Sequence, residues 1–242
     1  MINVIKVKDY EEASDKAFEI MKNYLKPGKV LGLATGSTPI GLYERMVKDH
    51  KENGTSYKEI KSFNLDEYVG LPIEHPESYY AFMHRNLFDH IDIPEENTHV
   101  PSGLGDDLDK QAKHYDEMID ENPVDIQVLG IGSDGHIAFN EPGTPFDSGT
   151  HVCDLAESTI QDNCRFFDND INLVPKQAVT QGIGTIMKAK NIMLIATGKN
   201  KAQAIKDMIE GPVDIDCPAS ILQNHGDVVV IIDEEAASLL SN

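Results

Sequence analysis

The sequence predicts an α/β fold, an open, mainly parallel, Rossmann-like sheet with helices on both faces. Three observations carry this expectation. Short apolar runs recur along the chain at 30–34 (VLGLA), 126–131 (IQVLGI), 192–196 (IMLIA) and 228–232 (VVVII). They are continuous rather than alternating, as strands buried on both faces must be. Amphipathic stretches of helical period lie between them. A chain of 242 residues is long enough to bury a sizeable core, and we expect one domain over 1–242.

The elements follow in order. Met1-Ile2-Asn3-Val4 carries no signal-peptide pattern and leads almost directly into a first helix over 10–25. There Ala13, Ala17, Phe18, Ile20, Met21, Tyr24 and Leu25 form one stripe. The strand at 30–34 precedes a helix over 39–49, and 60–65 is a weaker strand. Helices are expected over 77–88, 106–119 and 199–209, with Tyr115 and Met118 pointing to the core.

Composition bounds the function. Lys and Arg number 21 against 41 Asp and Glu, a net charge of -20. Nucleic acid and anionic membrane surfaces need clustered cations and are excluded as partners. Charged residues at 26% and hydrophobic ones at 40% are ordinary globular values. No apolar run approaches the ~20 residues of a membrane span. Cys153, Cys164 and Cys217 are widely spaced, without a CxxC pair. They read as reduced thiols, which suits the cytosol.

In open sheets of this kind, ligands sit beyond the carboxyl ends of the strands. After the strand at 30–34 comes Thr35-Gly36-Ser37-Thr38-Pro39. Gly36 permits a tight turn, Thr38 suits an N-cap and Pro39 the first helical position. A helix N-terminus with neighbouring hydroxyls can hold a phosphate, and a plain strand-to-helix turn looks the same. The Lys-Ser/Thr ending of a nucleotide P-loop is missing.

After the weak strand comes Asp66-Glu67-Tyr68, either a general base or a solvated turn, and taken alone the turn is favoured. After 126–131, the loop 132–143 (GSDGHIAFNEPG) places Asp134, His136 and Glu141 within eight positions. A histidine among carboxylates suits proton transfer, since the acids orient the ring and stabilise its charged form. There is no HExxH, and the other histidines are scattered, so metal binding is the weaker reading. A fourth loop, Thr197 to Lys201, follows another strand and brings lysines to a helix start. Arg165 stands beside Phe166 and Phe167, a pattern more often of a surface pair than of a ligand clamp.

Together these segments resemble the glucosamine-6-phosphate deaminase (glucosamine-6-phosphate isomerase) family. The matching stretches are LGLATGSTP from Leu31, FNLDEYVGL from Phe63, HPESYY from His75, LGIGSDGHIAFNEP from Leu129 and RFFDND from Arg165. FNLDEYVGL and GHIAFNEP are the most specific. The resemblance implies conversion of glucosamine 6-phosphate and water to fructose 6-phosphate and ammonia, with no redox cofactor or catalytic metal. It implies that Asp66 is the base moving a proton between C2 and C1. His136 opens the pyranose ring, and Asp134 and Glu141 support it. The phosphate rests on Gly36, Ser37 and Thr38, with Arg165 and Lys201 as its cations. To act as a base Asp66 must ionise, so we expect it to have access to solvent or to donors rather than deep burial.

Two departures narrow this. Allosteric family members carry Arg and Lys where this chain has His151 and Cys153, and they have a longer C-terminal tail. Activation by N-acetylglucosamine 6-phosphate is therefore expected to be weak or absent. A saturation curve that became hyperbolic only on adding that compound would refute this. A 6-phosphogluconolactone hydrolase is the runner-up, because it shares the phosphate turn without needing the Asp66 and His136 elements together. A sugar-phosphate sensor would be expected to bring a basic DNA-binding extension. The order of any homo-oligomer is left open.

Overall fold

The computed structural model describes residues 2–241. Strand β1 (Ile2–Val7) and helix α1 (Tyr10–Met21) lead into β2 (Val30–Leu33), α2 (Ile40–Asn53), β3 (Lys61–Asn64) and β4 (Asp66–Tyr68). Then come α3 (Tyr79–Asn86), β5 (Thr98–His99), α4 (Leu108–Glu121), β6 (Ile126–Leu129), β7 (His151–Asp154) and α5 (Glu157–Asn163). The order closes with β8 (Gln177–Thr180), α6 (Ile183–Ile186), β9 (Ile192–Ala196), α7 (Ala202–Glu210) and β10 (Val228–Asp233).

Seven strands form an open parallel sheet in the order β1-β10-β9-β6-β2-β3-β5. Every residue of β2, β6 and β9 is buried, which requires cover on both faces. The α/β prediction therefore holds. No helix among the described residues is long and apolar enough to cross a membrane. Cys153, Cys164 and Cys217 are free thiols.

Two features differ from the sequence reading. The chain does not open almost directly on a helix. Ile2–Val7 is an edge strand paired in parallel with β10, and its outer side is only half covered, so its apolar run is diluted by Asn3 and Lys6. A second sheet, three-stranded and antiparallel in the order β4-β8-β7, was not anticipated. Its strands are three or four residues long, too short to show a period. It covers a smaller core of Tyr68, Leu71, Phe139, Leu155, Cys164, Phe167, Val174 and Ala178.

The predicted helices shift by a turn or less. Asp9, Ser78 and Asp107 cap α1, α3 and α4 through their side chains. The stretch 199–209 divides into a tight 3₁₀ turn over Lys199–Lys201 and α7. Tyr115 is buried and Met118 packs against the main core, as expected.

Candidate active site

Strand order fixes where a site can form. From β2 the chain builds outward through β3 to β5, and from β6 it builds the other way through β9 and β10. The carboxyl ends of β2 and β6 therefore flank the point where the order reverses, the expected ligand crevice. The four loops singled out in the sequence leave β2, β3, β6 and β9, which are contiguous in the sheet. Thr38, after β2, lies against Gly130, after β6, where a side chain at Gly130 would meet the Thr38 hydroxyl at 3.8 Å.

The turn after β2 is pinned at both ends. The fully buried Tyr43 hydroxyl donates to the Ala34 carbonyl at 2.5 Å and accepts from the Ala34 amide at 3.1 Å. Gly36 takes φ +84, a left-handed conformation that a side chain would strain. The helix does not start as expected. Pro39, not Thr38, occupies the N-cap position, and it has no side chain able to cap. The Ile40 amide instead closes a turn onto the Ser37 carbonyl at 3.4 Å, and the Gly41 amide donates to the Tyr10 hydroxyl at 2.8 Å. The Ser37 and Thr38 hydroxyls thus do no capping work, and Ser37 is exposed at the crevice mouth.

Asp66 and Glu67 are neither a solvated turn nor equivalent. They begin β4, and both are buried. Glu67 is a helix cap: one oxygen accepts from the amides of Tyr68 and Tyr79 at 2.9 Å each, the other from Tyr80 at 2.9 Å. It ties β4 to the first turn of α3. Asp66 takes no part in this cap. It is only 6% exposed, which overturns the expectation of solvent access. Burial raises its pKa to about 8, the Glu67 charge adds to this, and the charge of His136 opposes it.

His136 reaches Asp66's neighbourhood through a tightly specified loop. Gly132 is buried beneath the imidazole, and a Cβ there would overlap the ring. Ala138 takes φ 52, a left-handed conformation unusual for alanine. The buried Asn140 amide donates to the carbonyls of Ile137 and Gln181, both at 2.9 Å. The Gln181 side chain donates to the Asn64 carbonyl at 3.0 Å. The Phe139 amide donates to the Thr180 hydroxyl at 3.1 Å, and Thr180 pairs with Asp66 in the small sheet. The antiparallel sheet thus joins Asp66 to the histidine loop. Asn140 lies inside a motif the sequence marked, but Gln181 and Thr180 carried no local signal.

The imidazole Nδ1 lies 2.7 Å from Asp134 and 3.5 Å from Glu141. The nearer oxygen is off the line of the N–H bond, so the contact is more an ion pair than a directed hydrogen bond. Burial alone would lower the pKa of His136, but the two acids outweigh it and raise it to about 9. Asp134 is correspondingly held well below the usual carboxylate range by the imidazolium. One ligand atom from each of the three residues falls within 4.8 Å of the others, a spacing compatible with a metal ion. The ring carries a proton near neutral pH, and a metal ion at Nδ1 would have to displace it.

The two predicted cations are placed differently. Arg165 lies exposed on a 3₁₀ turn after α5, its guanidinium 4.7 Å over the Phe166 ring, the surface pairing anticipated. Its segment is tied to the site by the Thr159 hydroxyl, which donates to Glu141 at 3.2 Å, and by Asn163, which donates to the Tyr68 hydroxyl at 2.8 Å. Lys201 ends the turn that starts at Gly198, whose amide donates to both oxygens of Asp233.

Gly132→Ala should move the imidazole, not merely crowd it, because the clash is with the ring itself. We expect kcat to fall by ~10²-fold, the scale for misplacing a catalytic group by about 1 Å, in steady-state assays of a variant that remains folded. An unchanged kcat would show that the ring can sit elsewhere.

Residues 11–230 match the family model described as glucosamine-6-phosphate isomerases/6-phosphogluconolactonase. The glucosamine-6-phosphate deaminase of Streptococcus uberis is 53% identical over 240 residues, 99% of this chain and 100% of that protein. That of Streptococcus agalactiae serotype III is 52% identical, with the same coverage. A solved structure of a monomeric glucosamine-6-phosphate deaminase superposes with a TM-score of 0.95 at 45% identity, over 98% of this chain and 100% of that one. The 6-phosphogluconolactonase of Trypanosoma cruzi shares the fold, with a TM-score of 0.80 at 24% identity over 100% of this chain and 98% of that one. This chain belongs to the glucosamine-6-phosphate isomerase/6-phosphogluconolactonase family.

Proposed function

We propose that this chain converts glucosamine 6-phosphate and water to fructose 6-phosphate and ammonia, as its relatives of about half-identical sequence are named for doing. The observation that carries this reading is the buried Asp66 beside a protonated His136 at the switch point of the sheet. Lactone hydrolysis needs no carboxylate at C2, whereas aldose-to-ketose conversion does.

The chemistry follows from these placements. His136 gives a proton to the ring oxygen as the C1–O5 bond breaks and takes the proton of the C1 hydroxyl in return, leaving the open-chain aldehyde. Asp66 takes the C2 proton as the C1=C2 bond forms, and His136 gives its proton to the oxygen on C1, so that an enolamine forms. Asp66 returns the proton to C1, giving a C2 imine, and water then releases ammonia from that carbon. A carboxyl group with a raised pKa is the stronger base once ionised, and it is partly protonated near its pKa for the return step. Asp134 and Glu141 hold the imidazole charged and oriented.

Phosphate recognition is local, since the net charge of -20 repels an anion. We assign it to Gly36, Ser37 and Thr38, with Arg165 and Lys201 as cations. Arg165 would leave Phe166 to reach the ligand. Arg165→Ala and Lys201→Ala should each raise KM by ~10-fold or more, with kcat changing much less, because a charge-assisted contact is lost and no background field replaces it. A soluble metabolic enzyme of this kind fits the cytosol.

The assay is direct. Purified protein should release ammonia and fructose 6-phosphate from glucosamine 6-phosphate in equal amounts. Hydrolysis of 6-phosphogluconolactone with no ammonia release would replace this reading with the runner-up. Tight binding of the sugar phosphate in calorimetry without turnover would favour a sensor.

A further inference from the structure

We propose that Tyr10 is a positioning residue for the substrate phosphate: its hydroxyl holds the turn from Gly36 to Thr38 in the shape that receives the anion. The inference rests on assigning phosphate to that turn. Tyr10 is the first residue of α1, 27 positions before Ser37, and nothing in the sequence connects the two.

The geometry is specific. The Tyr10 hydroxyl donates to the Ser37 carbonyl at 2.9 Å and accepts from the Gly41 amide at 2.8 Å. A helix start leaves backbone N–H groups without partners, and a capping side chain normally takes one of them. Pro39 at the N-cap cannot. Tyr10 supplies the missing acceptor from another helix, so α2 is capped in trans. The hydroxyl uses its one proton on the turn and a lone pair on the helix, which locks the two together.

The effect on the ligand side comes from peptide planarity. In a trans peptide the carbonyl and the following N–H point in opposite directions. Fixing the Ser37 carbonyl toward Tyr10 therefore turns the Thr38 amide the other way. It also engages a carbonyl that would repel a phosphate. Thr38 is the residue that faces the second crevice loop, where a side chain added at Gly130 would meet its hydroxyl at 3.8 Å. The orientation of one peptide plane thus decides whether the crevice presents a donor or an acceptor to an anion.

The arrangement around Tyr10 is built to hold it. Gly41 lets the two helices approach closely, since a side chain there would overlap Ser14 and come within 3.2 Å of the Tyr10 ring. Ser14 donates to the Tyr10 carbonyl at 2.9 Å. Arg45 of α2 reaches across to the Glu11 carbonyl and carboxylate and to Asp15. The helix pair therefore stays docked when the hydroxyl alone is removed.

The test is Tyr10→Phe, which keeps the ring and deletes the bridge. We expect KM for glucosamine 6-phosphate to rise about 5- to 10-fold, the scale of one or two lost hydrogen bonds, with kcat within about twofold of wild type. The Ki of inorganic phosphate as a competitive inhibitor should rise by the same factor. A lower Tm with KM and Ki unchanged would make Tyr10 a structural tie between helices and overturn the proposal, and so would a fall in kcat at constant KM. Thr38→Val separates this from the site assignment. If it weakens phosphate inhibition while Tyr10→Phe does not, only the role of Tyr10 falls. If neither changes the Ki, the phosphate turn itself is wrongly placed.

Discussion

Asp66→Asn should abolish ammonia release, lowering kcat by at least ~10³-fold, the upper range for loss of a general base. KM should stay within a few-fold, because Asp66 acts on C2 and not on the phosphate. The same substitution should stabilise the fold. The pKa of Asp66 is raised to about 8 by burial, whereas in the unfolded chain it ionises near the ordinary ~3.9. A raised carboxyl favours folding fully only below its unfolded pKa. That advantage is lost as pH climbs through the folded pKa, so at pH 8 to 9 the native protein holds a charge it would be more stable without. Asparagine carries none. We expect Asp66→Asn to melt at least ~3 °C above wild type at pH 8, the size of about 1 kcal/mol in a chain of this length, and the gap to close near pH 4. An active variant would remove Asp66 from the mechanism. An inactive variant with no gain at alkaline pH would show that the carboxyl is not desolvated in solution.

The pH profile is the second large effect. Asp66 must be ionised and His136 protonated in the free enzyme, with pKa values of about 8 and about 9. The plot of kcat/KM should be a narrow bell between them, falling ~10-fold per pH unit on either side. At pH 6 activity should be down by about 10²-fold. Glu141→Gln removes one of the two acids that raise His136, so its alkaline limb should move to lower pH while the acid limb moves little. The stability supplied by the His136 ion pairs follows the same sign: complete below the unfolded pKa near ~6.5 and lost as pH rises through about 9. An alkaline limb that stayed fixed in Glu141→Gln would mean that another group sets it.

Much of this site was legible in sequence because its parts are local. A buried parallel strand announces itself by a continuous apolar run, and the residue after the run is a crevice residue by topology alone. That logic marked Gly36, Ser37, Thr38, Asp66, Asp134, His136, Glu141 and Lys201 as crevice candidates, and the role of each was implied by the family resemblance alone. It could not separate Asp66 from Glu67. The two are adjacent acids, and only the arrival of the α3 N-terminus against Glu67 makes one a cap and not the other. Nor could it see the antiparallel sheet, whose strands are too short to carry a period and whose pairing spans more than a hundred residues of sequence between Asp66 and Thr180.

The sequence by itself determined the fold class, the order of the strands' buried runs and the chemical types present at each strand end. Each follows from hydrophobic period or from residue identity within a few positions. Tertiary structure alone decided the ionisation and the orientation of those groups. Asp66 titrates near 8 because distant segments exclude water from it, and His136 near 9 because its loop folds two acids back onto one nitrogen. The N-terminus of α2 is capped by Tyr10 because a glycine lets another helix come close. Desolvation, charge proximity and peptide orientation depend on what lies nearby in space, and residues far apart in the chain supply much of it.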